Sequence, residues 1–128
     1  MTKKNYGFRF RDWDIYQDAQ TFRREINRLL KKYPKEEKYA LVDQTRRALN
    51  SIILNIAEGS NKNSDKDTRL YINRAHGSLD EVVATMDCAL DDDYITEEQH
   101  GITLEKAGSL ARRLRAFANH LQKSSLSS

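Results

Sequence analysis

Apolar residues recur three and four apart in four long stretches, a spacing that collects them on one face of a helix each time. In the first, about residues 12–33, that face holds Ile15, Ala19, Phe22, Ile26, Leu29 and Tyr33, with Arg24, Arg28 and Lys31 opposite. The second, about 35–58, repeats Val42, Thr45, Leu49, Ile52 and Ile56. Ile72, Ala75, Leu79, Val82, Met86 and Ala89 mark the third, about 64–90. Thr103, Ala107, Leu110, Leu114, Phe117 and Leu121 mark the fourth, about 96–122.

The residues between these stretches carry helix start and stop signals. Pro34 stops the first helix and suits the first turn of the second, which predicts a short loop. Gly59 is expected as a left-handed cap, with residues 59–64 as the longest loop. Ser64 predicts an N-cap, with Asp65 and Asp67 complementing the helix dipole. Asp91-Asp92-Asp93-Tyr94 breaks the third rhythm, and Thr96 to Gln99 forms a capping box for the fourth. The expectation is an all-α protein, an antiparallel up-down-up-down four-helix bundle over residues 12–122. An N-terminal arm, 1–11, and a polar tail, 123–128, flank it.

At 128 residues the chain has room for one domain, and with one proline and five glycines it is poor in helix breakers. Its single cysteine, Cys88, excludes an internal disulfide and is expected near the core face of the third helix. The N-terminal residues carry charge without an apolar run behind it, and charges interrupt every apolar stretch. These features point to a cytoplasmic protein with no membrane partner.

The net charge of +3 and pI near 9.0 permit a polyanionic partner without requiring one. The charge is uneven. Residues 1–33 hold nine Lys/Arg against four Asp/Glu, a balance of +5, whereas residues 64–93 hold three against eight, a balance of −5. Such polarity favours first and third helices lying together, within one subunit or between two.

On the second helix Gln44, Arg47, Ser51, Asn55 and Glu58 project as one stripe away from the apolar face. On the third, Arg74, Ser78 and Glu81 form a similar line, with Gly77 and Ala84 small enough for another backbone to approach. Three readings stand for these lines: solvated surface, a polar network between helices or subunits, or a ligand site. The last needs a positioned nucleophile, base or metal set, and none is apparent. His76, His100 and His120 lie on different segments without metal spacing, and Asp91 to Asp93 read as a solvated helix end. No cofactor, metal or catalytic residue is expected, and the chain does not read as an enzyme.

Residues 39–59, YALVDQTRRALNSIILNIAEG, carry Gln44-x-x-Arg47-Ala48, then Ser51-Ile52, then Asn55 to Gly59 as NIAEG. Ala75-x-Gly77-Ser78-Leu79-x-Glu81 follows, and Tyr33-Pro34 and Tyr94-Ile95 flank the pair. From Phe10 to about Leu121 the chain resembles the four-helix-bundle proteins encoded within intervening sequences of bacterial 23S ribosomal RNA genes. Asp92-Asp93 depart from the less acidic approach to the tyrosine usual there. The resemblance implies a homopentamer, five bundles forming a barrel around a channel. It also implies kinship with the accessory variability determinant of diversity-generating retroelements, a similar bundle that binds nucleic acid and a reverse transcriptase.

Two functions are therefore expected as alternatives. One is an assembly that binds RNA or DNA without catalysis, through Arg24, Arg28 and Lys31 on the first helix and Arg112, Arg113 and Arg115 on the fourth. The other is a module that docks a nucleic-acid enzyme such as a reverse transcriptase. In that case Phe8, Phe10 and Trp13 either anchor the contact or clamp the arm.

Overall fold

Burial of the four apolar stripes is what organises the chain. The structure, a computed structural model, describes residues 4–127, with side chains described through residue 123; residues 1–3 of the expected arm and residue 128 of the expected tail lie outside that range. Four helices follow in order: α1 (Asp14–Leu30), α2 (Leu41–Gly59), α3 (Asp65–Asp91) and α4 (Glu97–Ser127). No strand occurs among the described residues.

All the stripe residues predicted on α2 and α3 are buried. On α1 Leu30 enters the core where Leu29 was expected and Leu29 packs at its edge; on α4 Ala118 is buried and Phe117 only partly. Each fully buried Leu, Ile or Phe contributes roughly 1.5–3 kcal/mol. That outweighs an exposed ion pair, worth about 0–1 kcal/mol, so the stripes decide the fold and surface charges adjust to it.

Contacts between neighbouring helices run in opposite senses along the two helices of each pair. Asp18 pairs with Arg113 and Glu25 with Lys106, which joins α1 to α4. Arg23 meets Asn50 and Arg9 meets Ser60, on the α1–α2 side. Ser51 meets Ser78 and Gly59 meets Thr68 between α2 and α3. His100 lies against Asp87 and Arg115 against His76 between α3 and α4. Adjacent helices are thus antiparallel. Helices α1 and α3 share no close backbone approach and occupy a diagonal. The basic first helix and acidic third helix therefore do not lie together within the bundle, because chain order puts α2 and α4 between them.

Helix ends follow local chemistry. Ser64 Oγ accepts the Asp67 N–H at 3.1 Å. Thr96 and Gln99 exchange the two bonds of a capping box, at 2.9 and 3.1 Å. The first connection is longer than Pro34 suggested. Residues 31–40 intervene, with a 3-10 turn at Lys35–Glu37, and α2 starts only at Leu41. Here Glu37 turns inward: its Oε2 accepts the Leu41 N–H at 3.2 Å and its Oε1 accepts the Tyr94 hydroxyl at 2.8 Å. Helix α4 in turn continues through Ser127, past the expected end at residue 122.

Gly59 corrects a second expectation. It is the last, buried residue of α2 and not a left-handed cap; the one glycine with positive φ is Gly7. A Cβ on Gly59 would lie 2.8 Å from Tyr71 Cβ, so the glycine is there to let α3 approach. The Thr68 hydroxyl then reaches the Gly59 carbonyl at 2.9 Å. Cys88 is exposed rather than near the core. One residue before the buried Ala89, it falls on the outward stripe with Gly77, Glu81 and Ala84. The arm is partly clamped. Trp13 packs on Phe117 and Phe10 edges onto Tyr16, both with centroids 4.8 Å apart, while Phe8 stays 59% exposed.

Two outcomes follow from this packing. Gly59→Ala should destabilise the fold by about 1–3 kcal/mol through overpacking against Tyr71. Gly101→Ala, where an added Cβ meets nothing within 4 Å, should stabilise by about 0.5–1 kcal/mol through helix propensity. Urea unfolding of both variants checks the opposite signs.

Alkaline pH tests the Glu37 anchor. The hydrogen bond to Glu37, with burial and nearby carboxylates, pushes the Tyr94 hydroxyl from 10.0 up to about 12. Burial likewise pushes Tyr33 up to about 12. Both shifts favour the protonated phenol in the folded state. The stability they add is whole below pH 10.0 and is lost as the pH rises through about 12. Urea midpoints measured across that window should fall, and those of Tyr94→Phe should fall less steeply.

Candidate interaction surfaces

The polar stripe on α2 meets the line on α3 at its middle. Ser51 Oγ and Ser78 Oγ are 2.7 Å apart, and Asn55 Nδ2 donates to the Ser51 carbonyl at 2.8 Å and to Ser51 Oγ at 3.1 Å. Ser78 Oγ lies 3.2 Å from the Arg74 carbonyl, so one chain of bonds runs from Asn55 across both helices. These three side chains are half-buried. They form a polar network between two helices of the chain.

The remaining stripe residues are exposed and spread over the same face. Arg47 pairs with Asp43 at 3.1 Å, and Glu58 with Lys62 at 3.8 Å. Arg74 and Lys62 cover the Tyr71 ring at 4.7 and 4.6 Å. Gln44 and Glu81 make no side-chain hydrogen bond or ion pair among the described residues. A shallow depression of about 360 Å³ lies along α2, lined by Arg47, Asn50, Ser51, Leu54, Asn55 and Glu58. Leu54, 63% exposed, is a large apolar side chain in otherwise polar surroundings and was missed in the sequence. Its place opposite Ile52 and Ile56 on the helix was the available signal.

The six cations expected to bind nucleic acid separate into two groups. Arg24 and Arg28 share the outward face of α1, Lys31 continues it at the C-cap, and all three are exposed. Arg24 donates to Thr21 Oγ1 of its own helix at 3.2 Å. Arg28 and Lys31 have no hydrogen bond or ion pair among the described residues. Both α1 carboxylates between Ile15 and Leu30 are engaged elsewhere: Asp18 with Arg113, and Glu25 with Lys106 at 2.9 Å. Those partners repeat at an interval of seven on each helix, a spacing the sequence displays but that pairs only once α1 and α4 are known to be adjacent.

Consecutive residues on α4 diverge by about 100° each, so its three arginines do not make one patch. Arg113 turns to α1, and Arg115 turns to α3, with Nη2 3.4 Å from His76 Nε2. Arg112 is exposed. The structure adds Lys32 and Lys106, which line a groove of about 210 Å³ between α1 and α4 together with Arg28, Leu29 and Ile102. Among the described residues, no three His, Cys, Asp or Glu side chains converge to hold a metal, and no helix is long and apolar enough to cross a membrane. The exposed cations lie on the outward sides of α1 and α4.

Comparison with curated proteins finds no match. The family comparison is informative: residues 11–116 match the model of the 23S rRNA-intervening sequence protein. That match takes in α1, α2, α3, most of α4, the Ser51–Ser78 network and both groups of cations. The chain belongs to the 23S rRNA-intervening sequence protein family.

Proposed function

We propose that this protein is a non-catalytic homo-oligomer that binds nucleic acid through the outward face of α1. One observation carries the reading. The α1 carboxylates Asp18 and Glu25 are drawn to α4, which leaves Arg24, Arg28 and Lys31 exposed without a carboxylate partner among the described residues. Phosphate contact requires outward cations of this kind and no base-reading geometry. Repetition of a modest patch in several subunits raises the avidity for a long polyanion.

The α2–α3 face supports the oligomer. It combines exposed Leu54 with short polar groups and with charges of both signs, Arg47 and Arg74 beside Glu58 and Glu81. Interfaces commonly pair an apolar centre with a polar rim of this composition. Five is the number of subunits the family resemblance implies. The exposed Phe8 favours a second reading, in which the assembly docks a nucleic-acid enzyme such as a reverse transcriptase.

Fluorescence anisotropy with labelled RNA and DNA over a salt series tests nucleic-acid binding. Affinity should fall steeply with salt, and Arg24→Glu with Arg28→Glu should weaken it at least about tenfold and flatten the duplex salt slope by about 2. Absence of binding at low ionic strength refutes this reading and leaves the docking one. Multi-angle light scattering tests assembly. A monomer at micromolar concentration removes the oligomer, whereas Leu54→Asp should convert a wild-type oligomer to smaller species.

A further inference from the structure

Residues 31–39, KKYPKEEKY, place four lysines and two tyrosines in the connection between α1 and α2. The tyrosines have opposite fates. Tyr33 is buried, its ring 5.5 Å from that of Tyr94 and its hydroxyl 3.9 Å from Met86 Sδ. Tyr39 is 85% exposed, more than any other large hydrophobic side chain described. Lys38 lies over its ring, with Nζ 5.4 Å from the centroid.

Charge in this connection is sorted in the same way. Of its two carboxylates, Glu37 is turned into the bundle by the Leu41 N–H and the Tyr94 hydroxyl. Outward there remain Lys31, Lys32, Lys35 and Lys38 against Glu36 alone. The Glu37 anchor and the 3-10 turn thus shape a short tip in which the uncovered Tyr39 ring lies beside Lys38, with Lys31, Lys32 and Lys35 exposed in the same connection. The tip continues the α1 surface of Arg24 and Arg28 toward the end of the bundle.

We infer that residues 31–39 form a single-strand-binding tip, in which Tyr39 stacks on an unpaired base and the four lysines contact the adjoining phosphates. An aromatic ring and cations at one place suit a strand whose bases are free to stack. A duplex keeps its base faces covered and would use only the lysines. This inference rests on the nucleic-acid reading above and narrows its ligand to single-stranded RNA or DNA.

The test uses the full chain and fluorescence anisotropy at low salt, with labelled oligo(dT), oligo(U) and a DNA duplex of matching length. Tyr39→Ala should weaken single-strand binding on the order of ten- to a hundredfold, while Tyr39→Trp restores it and duplex binding holds. Lys35→Ala with Lys38→Ala should flatten the salt slope on all three probes. Loss on either single strand supports the tip, and the probe with the larger loss names the strand. Unchanged single-strand binding by Tyr39→Ala overturns the tip and leaves the α1 reading standing, as does an equal loss on the duplex. A wild-type protein that binds none of the probes overturns both. Circular dichroism of Tyr39→Ala should match the wild type, since the side chain meets nothing in the core.

Discussion

Each helix carries one apolar stripe, and the four stripes must be buried together in one core. That constraint governs the rest of the molecule. With short connections it makes consecutive helices antiparallel neighbours and leaves α1 and α3 on a diagonal. Charged residues then find partners according to which flanks the stripes bring together. Asp18 and Glu25 meet α4, while Arg24, Arg28 and Lys31 face outward. The distribution of free charge on the surface is therefore a consequence of core burial, which contributes far more per residue than any of these exposed pairs.

The same constraint explains the α2–α3 face. Close approach of these helices depends on Gly59, whose missing Cβ leaves room for Tyr71, and it brings Ser51 within hydrogen-bonding distance of Ser78. Short side chains at such a seam satisfy one another; Lys or Glu there would reach past it into water. The half-buried network and exposed Leu54 thus belong to one face, part structural and part available for contact.

At one end of the bundle, Glu37 links two connections by accepting from Leu41 at the start of α2 and from Tyr94 before α4. This carboxylate does the work of a helix cap from four residues upstream. Its inward turn also removes a negative charge from a lysine-rich tip, so a local packing decision alters the electrostatics of the surface beside it.

The four helices, their core faces and two of their caps were legible in the sequence, because a stripe at helical spacing and a capping box are encoded within a few turns. Val42 through Ile56 and Ile72 through Ala89 needed no knowledge of any other segment. The NIAEG and GSL motifs likewise carried the family. Tertiary structure alone decided which helices are neighbours, and with that the engagement of Arg113 and Lys106, the packing role of Gly59 and the exposure of Cys88 and Tyr39. Each of these depends on a residue far away in the chain. Spacing along one helix sets the direction in which a side chain points, and only the assembled bundle supplies what it meets there.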